Sequence, residues 1–410
     1  MKLNIRCILM PHLQSQRGKI KMIKKFLCFV MAFSFLLCLF SGCNGTPSQP
    51  PGKESQPDSS PGDFGKDWQP EGTMELTYAE NFNVTYYPDG FSFITISDGS
   101  RYLLVPEGRQ APSEIDPEII LLQQPLNRIY LAATAAMCLF DALDSLDHIG
   151  LSGTKAEGWY IPNAKTAMEN GSILYAGKYN APDYELIMAH SCDLAIESTM
   201  IYHTPEVKEK LEDIGIPVLV DQSSREPHPL GRTEWIKLYG LLMGKEPEAK
   251  KIFDQQAGYI QEISKSENTG KTVAFFYISS SGYAVARKPG DYVAKMIALA
   301  GGNYIFQGLG DSKNAMSTIP LEMEQFYAQA KDADYMIYNS TIDGEVPSLE
   351  SLVQKNSLLK DFKAVQNGNV WCTEKNLFQE TTQLGLMISD IHQMLTEDGI
   401  TKLNFLYRLE

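Results

Sequence analysis

The residues of this chain best suited to chemistry are rings and guanidinium groups set in loops. Trp159, Tyr160, Tyr202, Tyr283 and Phe378 stand with Arg225, Arg287 and Asn314 in segments that follow short apolar runs. A ring covers apolar ligand surface and an arginine grips a carboxylate with two parallel hydrogen bonds, so the set suits a flat or anionic chelate. The histidines offer less. His148, His190, His203, His228 and His392 are spread over strand, helix and loop, whereas a bare transition metal needs three or four converging ligands. His190 and His392 fall within apolar helices and read as core; His228, between Pro227 and Pro229, reads as an ordered loop residue. There is no Gly-x-Ser-x-Gly elbow, phosphate loop or His-Glu-x-x-His helix, and Gly308-Leu309-Gly310 is followed by Lys313, not a third glycine. The pattern is that of a binder, not an enzyme, with no resident cofactor.

Thiols are the second reactive type. Lys24 and Lys25 precede an apolar run from Phe26 to Phe40, and Ser41-Gly42-Cys43 follows. The run is about fifteen residues, short of the roughly twenty that span a bilayer, so it reads as the apolar core of a secretory signal. Translation starting at Met22 would leave that signal intact. Ser41-Gly42-Cys43 resembles the bacterial lipobox, with Phe40 where Leu is usual; the resemblance implies a diacylglycerol thioether on Cys43, which becomes the new N-terminus. Removing residues 1–42 takes away seven basic and no acidic residues, leaving 29 Lys and Arg against 50 Asp and Glu, near −21. That charge argues against nucleic acid or an anionic lipid surface as partner and favours a soluble body held at the membrane by its lipid. Cys138, Cys192 and Cys372 lie in apolar stretches at no metal-ligand spacing and read as buried free thiols.

These groups must be held by a fold. The stretch after Cys43 is rich in Pro, Ser, Gly and Gln and reads as a disordered tether. Asp89-Gly90 and Asp98-Gly99 then punctuate strand-like runs at Phe82 to Tyr87, Phe91 to Ile96 and Tyr102 to Val105, the signal of an antiparallel meander. From Ile129 short apolar strands alternate with helices: strands near Ile129, Ile149, Leu194 and Val218, with helices over Ala132 to Leu146, Asp183 to Ala189 and Pro205 to Ile214. Such alternation means a parallel sheet between helical layers. A helix from about Pro247 to Ser264 is roughly 27 Å long, enough to pass from one lobe to another. Alternation resumes with strands near Val273, Tyr335 and Asn369 and a last helix over Leu384 to Leu395. The expected organisation is a signal segment (1–42), a tether (43–75), an α/β lobe (76–245) with a β meander (76–105), a connecting helix (246–265) and a second α/β lobe (266–410). The fold class is α/β: two Rossmann-like lobes joined by a single long α-helix, with an extra N-terminal β meander.

Several segments recur in order along the chain: Asn127-Arg128-Ile129-Tyr130-Leu131-Ala132, Asn180-Ala181-Pro182-Asp183-Tyr184-Glu185-Leu186-Ile187, Cys192-Asp193-Leu194-Ala195-Ile196, Gly240-Leu241-Leu242-Met243-Gly244-Lys245-Glu246, Ala300-Gly301-Gly302 and Met323-Glu324-Gln325-Phe326-Tyr327 before Ala333-Asp334-Tyr335. Together they resemble the substrate-binding lipoproteins of ABC importers, in the helical-backbone class that serves siderophores, haem and cobalamin. The resemblance implies a monomer outside the cytoplasm, anchored through Cys43, that captures an iron complex or cobalamin between its lobes and delivers it to an ABC permease. It also implies that one exposed glutamate on each lobe, Glu185 and Glu324, docks on permease arginines, with Glu322 a rival to the second. A rigid connector implies small closure on ligand binding. The alternatives are a bare metal-ion binder and a lipid-anchored sensor or adhesin without a transport role.

Overall fold

The computed structural model describes residues 68–310 and 318–410. The signal segment, Cys43, most of the tether and Asn314 lie outside the described residues. Asp89-Gly90 and Asp98-Gly99 turn the N-terminal strands as their sequence demands: Asp89, Gly90 and Gly99 all have positive φ, and the Ser100 amide donates to Asp98 Oδ1 at 2.9 Å. The result is larger than a three-stranded meander. Gly72–Thr73, Phe82–Tyr86, Ser92–Ile96, Arg101–Val105 and Ile119–Gln123 form one five-stranded sheet, and the last pair is parallel. The first strand lies inside the stretch the sequence assigns to the tether; Met74 N–H donates to Val84 O at 3.0 Å and Glu71 N–H to Tyr86 O at 2.9 Å, so ordered pairing begins before residue 75.

Side-chain alternation buries both faces of this sheet. Phe82, Val84, Ile94, Tyr102 and Leu104 enter the main core, whereas Tyr87, Phe91, Phe93 and Leu103 form a separate cluster against which Trp68 packs. Two buried carboxylates fix the segment between the first strands. Glu234 accepts the amides of Thr77, Tyr78 and Ala79 and pairs with Lys237 Nζ at 2.7 Å. Glu226 accepts the amides of Glu80 and Asn81 and the indole N–H of Trp235 at 2.8 Å. A buried carboxylate surrounded by N–H donors is stabilised despite its desolvation.

The first lobe is a five-stranded parallel sheet in the order Val218–Asp221, Leu194–Ser198, Ile129–Leu131, Ile149–Ser152, Leu174–Tyr175. The single helix expected over Ala132 to Leu146 is instead a 3₁₀ turn, Thr134–Ala136, and a short helix, Met137–Ala142; Asp144, with φ 50°, ends it. The second lobe holds parallel strands Thr272–Ile278, Tyr335–Tyr338 and Val370–Thr373. Antiparallel strands the sequence did not suggest close both edges, Ala284–Arg287 with Thr318–Leu321 on one side and Leu406–Arg408 on the other.

Helix Glu246–Ile263 joins the lobes, with Pro247 in its first turn and Glu246 and Glu248 placed favourably for its dipole. It buries Phe253, Ala257, Ile260 and Ile263 in a core that runs without a break into both lobes. Against it lies helix Leu384–Thr396. Gly385 permits the contact, since a Cβ there would stand 2.2 Å from Gln256 O, and Gln256 Oε1 accepts the Leu386 amide at 3.1 Å. Cys138, Cys192 and Cys372 are buried free thiols, and burial pushes Cys138 and Cys192 up to about 12.

Candidate functional site

In a parallel α/β lobe the loops beyond the carboxyl ends of the strands form the ligand crevice. Here the two sets of loops face each other and already touch. Thr233 Oγ1 donates to Thr381 O at 2.8 Å, Lys295 Nζ donates to Pro227 O, and the Gln379 side chain of the second lobe bonds the backbone of Gly158 and Tyr160 in the first. Between them lies a cavity of about 230 Å³ lined by Arg232, Arg287, Asp291, Tyr292, Phe378 and Thr381, among others.

The electrostatics of this cavity follow from two guanidinium groups and one carboxylate. Arg232 lies over the Tyr292 ring, 3.8 Å from its centroid, and donates to Ser224 O at 2.5 Å. Its Nε is buried and has no hydrogen-bond partner among the described residues. Burial lowers the Arg232 pKa, opposed by Tyr292 and Asp291; arginine starts so high that the group stays charged. Arg287 lies 4.8 Å from the Phe378 ring centroid and 3.3 Å from Asp291 Oδ2. Asp291 caps the helix Tyr292–Leu299 through the Val293 amide. Its burial raises its pKa, while Arg287 and that amide pull it down. Among the lining residues one positive charge is in excess, beside two rings; Asp221, buried outside the lining, also acts on the Arg232 guanidinium.

Of the residues expected at the ligand, Arg287 and Phe378 line this cavity. Tyr160 is exposed and does not line it; its amide donates to Gln379 Oε1 at 2.8 Å. Tyr202 and Arg225 meet each other, the guanidinium 5.3 Å from the ring centroid, but Tyr202 donates to Asp98 Oδ2 at 2.7 Å and accepts from Gln222, so it ties the lobe to the N-terminal sheet. Tyr283 is exposed in the turn before strand Ala284–Arg287, its amide donating to Ser279 Oγ at 3.1 Å. Trp159, expected at the ligand, is 2% exposed, packs in the main core and lines none of the inter-lobe, first-lobe or rear cavities. Its Nε1 has no partner among the described residues. Arg232, Asp291, Tyr292 and Thr381 were not singled out from sequence. Arg232 sits on a helix, not a loop; its signal was Pro229, which starts that helix just beyond the strand ending at Asp221.

A second cavity, about 310 Å³, opens on the first lobe and is lined by Thr134, Lys155, Glu157, Gly158, Tyr175 and Lys178, among others. The tight turn that presents Lys178 requires Gly177: its φ is 84°, and a Cβ would lie 2.3 Å from Ala181 O. A third cavity, about 400 Å³, lies away from the cleft between the N-terminal sheet and the connecting helix. Its lysines are already neutralised, Lys237 by Glu234 and Lys250 by Asp254. Among the described residues no three His, Cys, Asp or Glu side chains stand together in a way that could hold a metal ion.

Glu185 and Glu324 are both exposed in first turns, on helices Tyr184–Ala189 and Met323–Ala330, one per lobe. Asp183 Oδ1 caps the first helix through the Leu186 amide at 3.0 Å, leaving Glu185 free to face outward. Glu322 stands at the N-cap of the second but makes no capping bond.

With this geometry in place, similarity to known proteins becomes informative. A lipoprotein of Methanocaldococcus jannaschii of uncharacterised function is 27% identical over 348 residues, covering 78% of this chain and 80% of its own. A periplasmic haem-binding protein from Pseudomonas aeruginosa superposes with a TM-score of 0.54 at 15% identity, over 69% of this chain and 98% of its own. A protein of an ABC-type Fe³⁺-hydroxamate transport system from Saccharomonospora viridis gives 0.51 at 20% identity, over 66% and 94%. At such identities the two structures speak for the fold: two lobes on a helical backbone. A family model described as periplasmic binding protein matches residues 146–377, more than half of the sequence. The chain belongs to the periplasmic binding protein family.

Proposed function

We propose that this protein is the extracytoplasmic substrate-binding lipoprotein of an ABC importer. It is anchored through Cys43, captures an iron complex (a siderophore or haem) or cobalamin between its lobes and hands it to a permease. The observation that carries the reading is the inter-lobe cavity, where Arg232 and Arg287 outnumber Asp291 and sit over Tyr292 and Phe378. Guanidinium groups beside aromatic rings favour an anionic ligand with flat or apolar surface. The haem-binding and ferric hydroxamate proteins that share the fold motivate the ligand panel. Because the connecting helix and helix Leu384–Thr396 interlock at Gly385, closure is small and affinity rests on a largely preformed site.

Delivery is assigned to Glu185 and Glu324, exposed carboxylates on separate lobes. Replacing both with Arg sets like charges against the permease arginines. Cellular uptake of the ligand is then expected to stop while the isolated protein binds it with unchanged affinity; Glu322→Arg is the milder control. Unimpaired uptake in the double reversal would remove both residues from the interface, and lost affinity would move them into the cleft or the fold.

A further inference from the structure

The match to the family begins at residue 146, beyond the last strand of the N-terminal sheet, Ile119–Gln123, so the sheet lies outside it. That sheet is nevertheless joined to the cleft. It lies along the edge strand Val218–Asp221 of the first lobe, where the buried Tyr102 hydroxyl donates to Val218 O at 2.7 Å. Its Asp98-Gly99 turn reaches two loops at the carboxyl ends of the lobe's strands. Asp98 Oδ1 accepts the Ser100 amide and fixes the turn, which leaves Oδ2 for the Tyr202 hydroxyl at 2.7 Å and Gln222 Nε2 at 3.5 Å. Tyr202 belongs to the 3₁₀ turn Thr199–His203 after strand Leu194–Ser198, and Gln222 opens the turn Ser223–Arg225 after strand Val218–Asp221. The two side chains also bond each other, Gln222 Nε2 donating to the Tyr202 hydroxyl. Gln222 is fully buried and its Oε1 has no partner among the described residues, so its amide is oriented from the Nε2 end alone. From there the Ser223–Arg225 turn runs to the cleft: the Arg225 amide donates to Gln222 O at 2.8 Å, Ser224 lines the inter-lobe cavity, and Ser224 O accepts Arg232.

We propose that Asp98 is a positioning residue of the ligand site: from the N-terminal sheet, through Tyr202 and Gln222, it holds the Ser223–Arg225 wall of the cleft in place. This rests on the binding-protein reading above and adds a component to its site. A carboxylate that accepts a phenol forms a charge-assisted hydrogen bond, stronger than one between neutral groups. Without it the Tyr202 hydroxyl keeps only the Gln222 amide, and neither loop is tied through these side chains to the sheet. A site that closes little depends on such ties, because its affinity comes from geometry set before the ligand arrives.

Asp98→Asn separates the two roles of this residue. Asn accepts the amide two residues on as Asp does, which keeps the turn, but its Nδ2 then sets a donor against Tyr202 and Gln222. In the mature protein the melting temperature should stay with the wild type. Amide hydrogen exchange without ligand should quicken about threefold or more over residues 222–226 and stay unchanged over strand Arg101–Val105. Affinity for whichever of haem, cobalamin and a ferric trihydroxamate the wild type binds should fall by about three- to tenfold, the scale of one hydrogen bond. Tyr202→Phe, which leaves the turn untouched, should reproduce both effects, and the double variant should lose no more than either single one, since both remove the same contact. Asp89→Asn, at the opposite end of strand Ser92–Ile96 and in an exposed pair with Arg109, is the control and should change neither. Unchanged exchange or unchanged affinity in Asp98→Asn and Tyr202→Phe, or additive losses in the double variant, overturns the inference and leaves the binding-protein reading standing. A wild type that binds none of the three probes overturns that reading, and this inference with it.

Discussion

The rear of the molecule and its cleft treat charge in opposite ways. At the rear, Glu226 and Glu234 are fully buried, yet between them they accept five backbone amides, an indole N–H and a lysine. In the cleft, Arg232 Nε has no partner among the described residues and Arg287 holds its carboxylate at 3.3 Å. Satisfied buried charge fixes a structure, whereas unsatisfied charge beside a cavity is capacity for a ligand. Stability should accordingly reside at the rear and affinity in the front, and substitutions can separate the two.

The largest effect is expected from Glu234→Ala, which strands three amides and leaves Lys237 Nζ only the Glu75 carbonyl; a loss of about 3–5 kcal/mol in urea unfolding is the scale for a broken buried network. A cost below about 1 kcal/mol would mean that water replaces the carboxylate freely. Next comes Gly385→Ala at the interlock of the two helices, where the added Cβ meets Gln256 O at 2.2 Å. Overpacking of this kind costs about 1–3 kcal/mol, read by the same unfolding curve, and unchanged stability would show that the interlock has slack.

Glu197 carries a smaller, pH-dependent effect. It is fully buried, neither carboxyl oxygen has a partner among the described residues, and burial moves it from the ordinary 4.5 up to about 8. The native state thus holds a proton that the unfolded state releases. Stability due to this group is complete below about 4.5 and is lost as pH rises towards 8. Glu197→Gln should melt with the wild type near pH 4 and above it at pH 8; parallel melting curves across that window would place a hidden partner beside the carboxyl. Smallest of all, Arg287→Ala should cost about 1 kcal/mol in the same unfolding measurement, because the buried Asp291 loses its ion pair at 3.3 Å but keeps the Val293 amide.

Sequence periodicity located most elements because the lobes are built from local units. Strand Leu194–Ser198, helix Pro205–Asp213 and the connecting helix all stand within a few residues of where apolar spacing and proline put them. What escaped was non-local. Strands Ala284–Arg287 and Thr318–Leu321 are short and depend on pairing across a long loop, and Ile119–Gln123 is fixed only by its neighbour Arg101–Val105. The site divides in the same way. Arg287 and Phe378, two lining residues the sequence pointed to, lie on short local elements, Arg287 at the end of a strand and not in a loop, whereas Arg232 and Tyr292 meet only because two helices from different lobes converge. Trp159 misled because a large ring in a loop looks like a ligand platform until tertiary packing buries it.

The most direct test of ligand capture in the cleft is equilibrium titration of the mature protein with haem, ferric siderophores and cobalamin, comparing wild type with the pair Arg232→Ala and Arg287→Ala. One ligand class should bind the wild type at one molecule per chain, and the double variant should lose about tenfold or more in affinity. Saturation of the double variant at wild-type concentrations, or failure of the wild type to bind any member of the panel, would contradict it.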